Sequence, residues 1–308
     1  MTRVAAVDCG TNSVRLLIAD MPSGDGGTLT DVERRMEIVR LGQDVDKTGR
    51  LAPQALERTF TAMRRYAELI DRHGAEKTRV VATSATRDAA NRDEFVSGVV
   101  DIFGAVPEVI TGHEEAELSF MGATRELAEL RPPRPYLVVD IGGGSTEFVL
   151  GSSSVQAARS VDIGCVRLTE RHLRDDPPSP EQITSAVADI DGALARVRET
   201  VPVDEARTLV GLAGSVTTVA GIALGLPHYD PARIHHSRIT AAQVHDVTRD
   251  LLHATRAERA RIGVMHPGRV DVIGTGSLIL DRVMREYGFG AVVVSEHDIL
   301  DGIAWSLL

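Results

Sequence analysis

Two cysteines, one tryptophan, four tyrosines and six phenylalanines are all that these 308 residues hold of the types that make cross-links and stacking platforms. The pair Cys9 and Cys165 excludes a disulfide-rich secreted scaffold. With no histidine close in sequence, Cys9 reads as small apolar filler under a turn rather than as a nucleophile. No apolar run approaches the roughly 20 residues of a membrane helix, and no charged-then-apolar leader precedes Val4. The expected location is the cytoplasm, with no membrane partner. Basic excess is missing too: 44 acidic against 34 basic residues leave a net charge of −10, which argues against a nucleic-acid partner and repels polyanions at long range. Any anion must be captured locally, by candidates among Arg15, Arg87, Arg167, Arg171 and the run Arg233 to Arg238, most of which are expected on solvated faces. What remains, 43% hydrophobic and 25% charged, is an ordinary globular composition of a size that suits two domains sharing a cleft.

One stretch concentrates chemistry. In LVVDIGGGSTEFVL, Leu137 to Leu150, Leu137–Val139 reads as a buried strand and Phe148–Leu150 as its return, with Gly142, Gly143 and Gly144 as the hairpin turn. Glycines there are expected to take positive φ and gather N–H groups into a nest for phosphate oxygens, joined by Ser145. Asp140 and Glu147 flank that nest. Two carboxylates beside an anion cradle would repel the ligand unless a hard cation lay between them, so the pattern implies Mg²⁺ or Mn²⁺. An ordinary glycine hairpin is the competing reading.

The pattern occurs twice. Val4 to Asp20, VAAVDCGTNSVRLLIAD, superposes without a gap at an offset of 132 residues: Asp8 on Asp140, Gly10 on Gly142, Ser13 on Ser145 and Leu17 on Val149, with Arg15 in the place of Glu147. This is an internal duplication. It makes Asp8 a further candidate metal ligand and Asn12 and Ser13 candidate ligand-binding residues of the first turn.

Between and after the hairpins the chain alternates strands and helices. Residues 28–40 read as a third strand and Leu41–Leu51 as a polar loop. A helix starts at Pro53, carries an apolar stripe of Leu56, Phe60, Met63, Ala67 and Ile70, and stops at Gly74. The strand Arg79–Thr83 runs into Ser84, Thr86 and Arg87, and such strand-to-helix turns are where α/β proteins place sites. Arg87 is either a phosphate clamp or the structural partner of Asp88, Asp93 or Glu94. After a strand at Glu108–Thr111, Glu114 and Glu115 open a helix, where each can be a cap or a general base; spacing does not choose between them. RPPRP, Arg131 to Pro135, is expected to mark the domain junction. Helices are expected over Ile163–Leu173 and Arg269–Tyr287, the latter with Gly274 and Gly276 marking a close backbone or ligand approach. The turn Gly214-Ser215 after a strand at Arg207–Leu212 is either an anion site at a helix N-terminus or a tight cap. His235 and His236 are expected to point apart, with no third spaced histidine to complete a zinc site.

Together VDCGTNSVRLLI, VVDIGGGSTEFV, VATSATRDAANRDEF, TGHEEAELSFMG and the Gly214-Ser215 turn resemble the motifs of the exopolyphosphatase and guanosine-pentaphosphate phosphohydrolase (Ppx/GppA) family, in order and over nearly the whole chain. The resemblance implies an α/β fold of the two-domain actin/hexokinase/Hsp70 type, ribonuclease H-like, with a cleft between duplicated domains. The expected bounds are 1–122 plus 297–308 for the first domain and 123–296 for the second. It implies that Glu115 is the catalytic glutamate, Arg87 a phosphate-contacting arginine, Asp140 and Glu147 metal-site acids, and Gly143, Gly144, Ser145 and Gly214 phosphate-loop positions. The implied substrate is inorganic polyphosphate, with guanosine penta- or tetraphosphate as the alternative, and the implied assembly a homodimer. Longer relatives carry a further helical region, so long-chain processivity is not expected here. A non-catalytic sensor of such anions and a sugar kinase-like phosphotransferase are the readings from other classes; the latter lacks an identifiable adenosine pocket.

Overall fold

The computed structural model describes residues 2–22 and 27–308. The chain divides into two compact units, Met1–Glu126 with Ile299–Leu308, and Leu127–Asp298. RPPRP lies inside the second unit, which opens ahead of it with the short helix Leu127–Leu130.

The sheet of the first unit contains β1 (Thr2–Cys9), β2 (Ser13–Met21), β3 (Thr30–Ile38), β4 (Lys77–Ala82) and β5 (Glu108–Val109), in the order β3-β2-β1-β4-β5. The first three strands form an antiparallel meander, and β4 and β5 join parallel to β1. Because successive side chains leave a strand on opposite faces, β1, apolar and buried from Val4 to Val7, must be covered on both. Val4 and Ala6 pack with Leu118, Ile299, Ile303 and Trp305, while Ala5 and Val7 pack with Leu16, Met63, Tyr66 and Phe95. The expected helix is Pro53–His73, with proline in its first turn and Gly74 closing it at φ 66°. Leu56, Met63 and Ile70 of its stripe are buried, and Phe60 and Ala67 half-buried. The last helix, Ile299–Trp305, belongs to this unit. A side chain on its Gly302 would overlap the backbone of Leu118, so glycine permits the close approach to helix Gly112–Thr124.

The second unit repeats the plan. Its sheet contains β6 (Tyr136–Ile141), β7 (Thr146–Gly151), β8 (Val155–Val161), β9 (Thr208–Leu212), β10 (Arg238–Thr240) and β11 (Ala291–Val294), ordered β8-β7-β6-β9-β11-β10. The first five strands of that order have the same directions as in the first unit, and β10 adds an antiparallel edge. Two α/β units with one strand order are the ribonuclease H-like duplication that the resemblance implied. The helix expected from Arg269 begins only at Ile273, after a 3₁₀ turn at Pro267–Arg269, because Pro267 and Gly268 favour a tight turn over a helix start. The strand expected through Thr111 ends at Val109, since Thr111 serves as a helix N-cap. Among the described residues no helix is long and apolar enough to cross a membrane.

Candidate functional site

In the first unit, Asp8 and Arg15 stand opposite each other on β1 and β2. Arg15 donates to Asp8 Oδ2 from both Nε, at 2.9 Å, and Nη2, at 2.6 Å. One oxygen of Asp8, expected as a metal ligand, is thus engaged by an ion pair, and a guanidinium stands where the second hairpin has another carboxylate. The turn closes through Gly10 N donating to Ser13 O at 3.0 Å. Its carbonyls are engaged from below: Thr11 O accepts from Gly42 N at 2.8 Å, and Asn12 O from Val39 N and Arg40 N at 3.0 and 2.9 Å. In a trans peptide the C=O and the following N–H point in opposite directions. The amides of Asn12 and Ser13 therefore project from the other side of the turn. A Thr11–Ser84 hydroxyl pair at 2.9 Å ties this turn to the junction after β4.

The short helix Ser84–Asp88 that follows carries Arg87. Arg87 Nη1 donates to Ile110 O at 3.0 Å and to Glu115 Oε2 at 3.1 Å. The two adjacent glutamates are separated by the same helix. Thr111 donates to Glu114 Oε2 from its backbone N, at 2.8 Å, and from its hydroxyl, at 2.9 Å, and accepts from Glu114 N in return. This capping box holds the Glu114 carboxyl below the usual carboxylate range, mainly through the backbone hydrogen bond. Glu115, 8% exposed, turns inward to Arg87.

In the second unit, Asp140 and Glu147 are opposite one another on β6 and β7 and are 7% and 1% exposed. Two buried carboxylates side by side disfavour double ionisation unless a positive charge joins them. Their all-oxygen donor set suits a hard divalent cation such as Mg²⁺ or Mn²⁺. The neighbouring turn closes as the first does, with Gly142 N donating to Ser145 O at 3.1 Å. Its glycines do not gain their use from positive φ: the left-handed glycines among the described residues are Gly49, Gly74, Gly104, Gly225 and Gly288. The carbonyls of the turn are instead held by a neighbouring helix. Helix Cys165–His172 abuts the turn with its N-terminus: Cys165 N donates to Gly142 O at 3.0 Å, and Val166 N and Arg167 N to Gly143 O at 2.9 and 3.1 Å. Arg167 Nε donates to Gly144 O at 2.7 Å. With three successive carbonyls drawn to one side, peptide planarity sends the amides of Gly143, Gly144 and Ser145 out of the other, an arrangement that could accept an anion. Gly164 is needed for this approach, since a Cβ there would overlap the backbone of Gly143 and Gly144.

The Gly214 turn opens helix Ala213–Ala223, with Ala213 itself at φ 66°. A side chain at Gly214 would overlap the guanidinium of Arg269, which therefore lies directly on the turn. Ser215 reaches the same place but its hydroxyl is turned inward, against Gly276 and interacting with the Cys165 thiol. The turn can offer ligand its amides and Arg269, and Ser215 serves as packing; Gly274 and Gly276 likewise accommodate Leu252 and Ser215. Arg269 escaped the sequence reading because it is 55 residues from Gly214 and sits in a segment that reads as an ordinary turn. Arg171, a candidate cation, is instead paired with Asp189 at 2.6 Å. Burial pushes both the Cys9 and the Cys165 thiols up, which fits the filler role of Cys9.

The histidines behave differently from expectation. His236 takes φ 60°, and the rings of His235 and His236 stack with centroids 3.6 Å apart, rather than pointing apart. His297 lies 4.6 Å from His235. Glu296 N donates to His235 Nδ1 at 3.1 Å, and His235 and His297 each have a ligand atom in a group that could hold a metal ion.

Residues 17–308 match the Ppx/GppA phosphatase family. Exopolyphosphatase 2 of Mycobacterium tuberculosis is 52% identical over 317 residues, an alignment covering 100% of this chain and 99% of that protein. A crystal structure of an exopolyphosphatase-like protein superposes with a TM-score of 0.95 at 44% identity, covering 99% of this chain and 98% of the other. A guanosine-5′-triphosphate,3′-diphosphate pyrophosphatase of Aeromonas salmonicida is 29% identical, covering 99% of this chain but 59% of that protein.

Proposed function

The chain belongs to the Ppx/GppA phosphatase family, and we propose that it is an exopolyphosphatase, a hydrolase that releases terminal orthophosphate from inorganic polyphosphate. The main support from the structure is the second hairpin turn, whose three successive amides face away from helix Cys165–His172 beside two buried carboxylates. The name of the Mycobacterium tuberculosis relative at 52% identity supports the same substrate.

In this reading the amides of Gly143, Gly144 and Ser145 hold phosphoryl oxygens, and those of Asn12 and Ser13 are the equivalent donors of the first unit. Gly214 leaves room for Arg269 to add a fixed positive charge. Glu115 orients water and accepts its proton, and the guanidinium of Arg87, 3.1 Å from Glu115 Oε2, fixes where that carboxylate points. Asp140 and Glu147 hold Mg²⁺ or Mn²⁺. The bound cation supplies neutralisation of the charge that develops on the phosphoryl oxygens. No covalent enzyme intermediate is needed. Short chains as preferred substrate, a cytoplasmic location and a homodimer belong to the same proposal.

A guanosine pentaphosphate 5′-phosphohydrolase is the second reading, favoured by the Aeromonas salmonicida relative and weakened by its lower identity and its greater length. Purified protein should release orthophosphate from short-chain polyphosphate with Mg²⁺ and stop when chelator is added. Release that persists in chelator rejects the metal. Binding of polyphosphate and guanosine pentaphosphate with no release from either would make the protein a sensor.

A further inference from the structure

Directly opposed residues on neighbouring antiparallel strands place their side chains on one face, close enough to interact. Across the second sheet such a row runs Asp140 on β6, Glu147 on β7 and Ser160 on β8. The corresponding row of the first sheet runs Asp8, Arg15 and Met36. The two rows solve one problem in opposite ways. In the first, the central residue is a cation satisfied by Asp8, and the third residue is an apolar methionine. In the second, the central residue is an anion, 1% exposed, with another carboxylate on one side. On its other side the hydroxyl of Ser160 donates to Glu147 Oε1 at 2.7 Å.

We propose that Ser160 is a positioning residue, which locks the Glu147 carboxylate for capture of the divalent cation; this rests on the metal reading given above. A carboxyl group rotates about its last C–C bond, and a hydrogen bond to one oxygen fixes that rotation. With Oε1 committed to Ser160, the bearing of Oε2 is set relative to the carboxylate of Asp140. Mg²⁺ tolerates little departure from octahedral geometry, so a wagging carboxylate costs affinity even though no ligand is lost. The interaction also satisfies one lone-pair direction of a buried anion whose neighbour on β6 cannot donate when ionised.

The test compares wild type, Ser160→Ala and Ser160→Thr as the full chain. Mn²⁺ binding is measured by calorimetric titration without substrate, and orthophosphate release from short polyphosphate is measured against Mg²⁺ concentration. Outer hydrogen-bond partners of metal ligands typically contribute about 10- to 100-fold in metal affinity. Ser160→Ala should weaken Mn²⁺ binding by that factor and raise the half-saturating Mg²⁺ concentration in parallel, with turnover largely recovered at saturating metal. Ser160→Thr, which keeps the hydroxyl, should bind as wild type does. Metal-free thermal melts establish that each variant is folded, and Ser160→Cys, a weaker donor of similar size, replaces alanine if that variant does not fold. Unchanged Mn²⁺ affinity in Ser160→Ala overturns the role. So does equal weakening by threonine, which would reveal a packing effect. Wild type that binds no Mn²⁺ overturns the metal reading together with it, so the two failures are told apart.

Discussion

Glu114 and Glu115 are neighbours in sequence with opposite surroundings, because consecutive helical residues point about 100° apart. Glu114 faces back to its own N-cap, where Thr111 holds it, and Glu115 faces Arg87, a residue brought in from another segment. That long-range partner is why spacing alone left the pair undecided. Glu115→Gln keeps the shape but cannot accept a proton, and turnover should fall about 10²- to 10⁴-fold with polyphosphate binding nearly intact. Glu114→Ala should turn over normally and lose only roughly 0.5 kcal/mol of stability through the broken cap, because the side chain is exposed and screened by solvent. Because the folded carboxyl titrates below its ordinary range, that stabilisation is present above the unfolded pKa and is lost as pH falls through the folded one. The difference in melting temperature between wild type and Glu114→Ala should therefore be full at neutral pH and shrink as the solution is acidified below about pH 4.3, the ordinary glutamate value. A difference independent of pH removes the charged cap from the account. Normal turnover in Glu115→Gln with a dead Glu114→Gln reverses the assignment.

At the scale of elements, both hairpins and their equivalence were legible, since a strand-turn-strand pattern with carboxylate, glycine and serine at fixed spacing is a local property. How the turns work was not legible. Amide direction is imposed by the segments beneath, Val39–Gly42 in one unit and Cys165–Arg167 in the other, and no local signal in the turns themselves names those partners. Gly164 carries this tertiary constraint, whereas Gly192, exposed in helix Pro180–Arg198, has only the tip of Arg196 nearby at 3.8 Å. Alanine at the two positions should act oppositely. Gly164→Ala must push the turn away from its helix, costing about 1–3 kcal/mol as overpacking does and depressing turnover as the amides are displaced. Gly192→Ala should add about 1 kcal/mol, the helix-propensity difference between the residues, and leave turnover unchanged. Denaturant midpoints and initial rates on the same preparations check both. If Gly164→Ala is neutral in both measurements, contact with helix Cys165–His172 does not orient the turn.

For the whole molecule, composition told more about the limits on substrate than about the site. The net charge of −10 acts on any polyanion, and its reach depends on ionic strength: the screening length is about 8 Å at physiological salt and about 3 Å at 1 M. A chain of a few phosphates engages mainly the cradle amides and the arginines, where local donors outweigh the distant field. A chain of hundreds must lay most of its charge against an acidic surface, so its repulsion grows with length while its one reacting end gains nothing. Short chains should therefore be hydrolysed best at equal end-group concentration, long polymer less well and guanosine pentaphosphate weakly, since no aromatic residue lies among the candidate ligand-binding positions. Screening supplies the sharper test. Raising salt weakens attraction and repulsion alike, so KM for short chains should rise, whereas KM for long polymer, limited by repulsion, should rise less or fall. The measurement is orthophosphate release with Mg²⁺ across chain lengths at several ionic strengths, with the nucleotide run in parallel. Long polymer that is preferred at low salt, and loses that preference as salt is added, would mean that a basic track outweighs the net charge. A lower KM for the nucleotide than for short polyphosphate would move the assignment to the pentaphosphate phosphohydrolase.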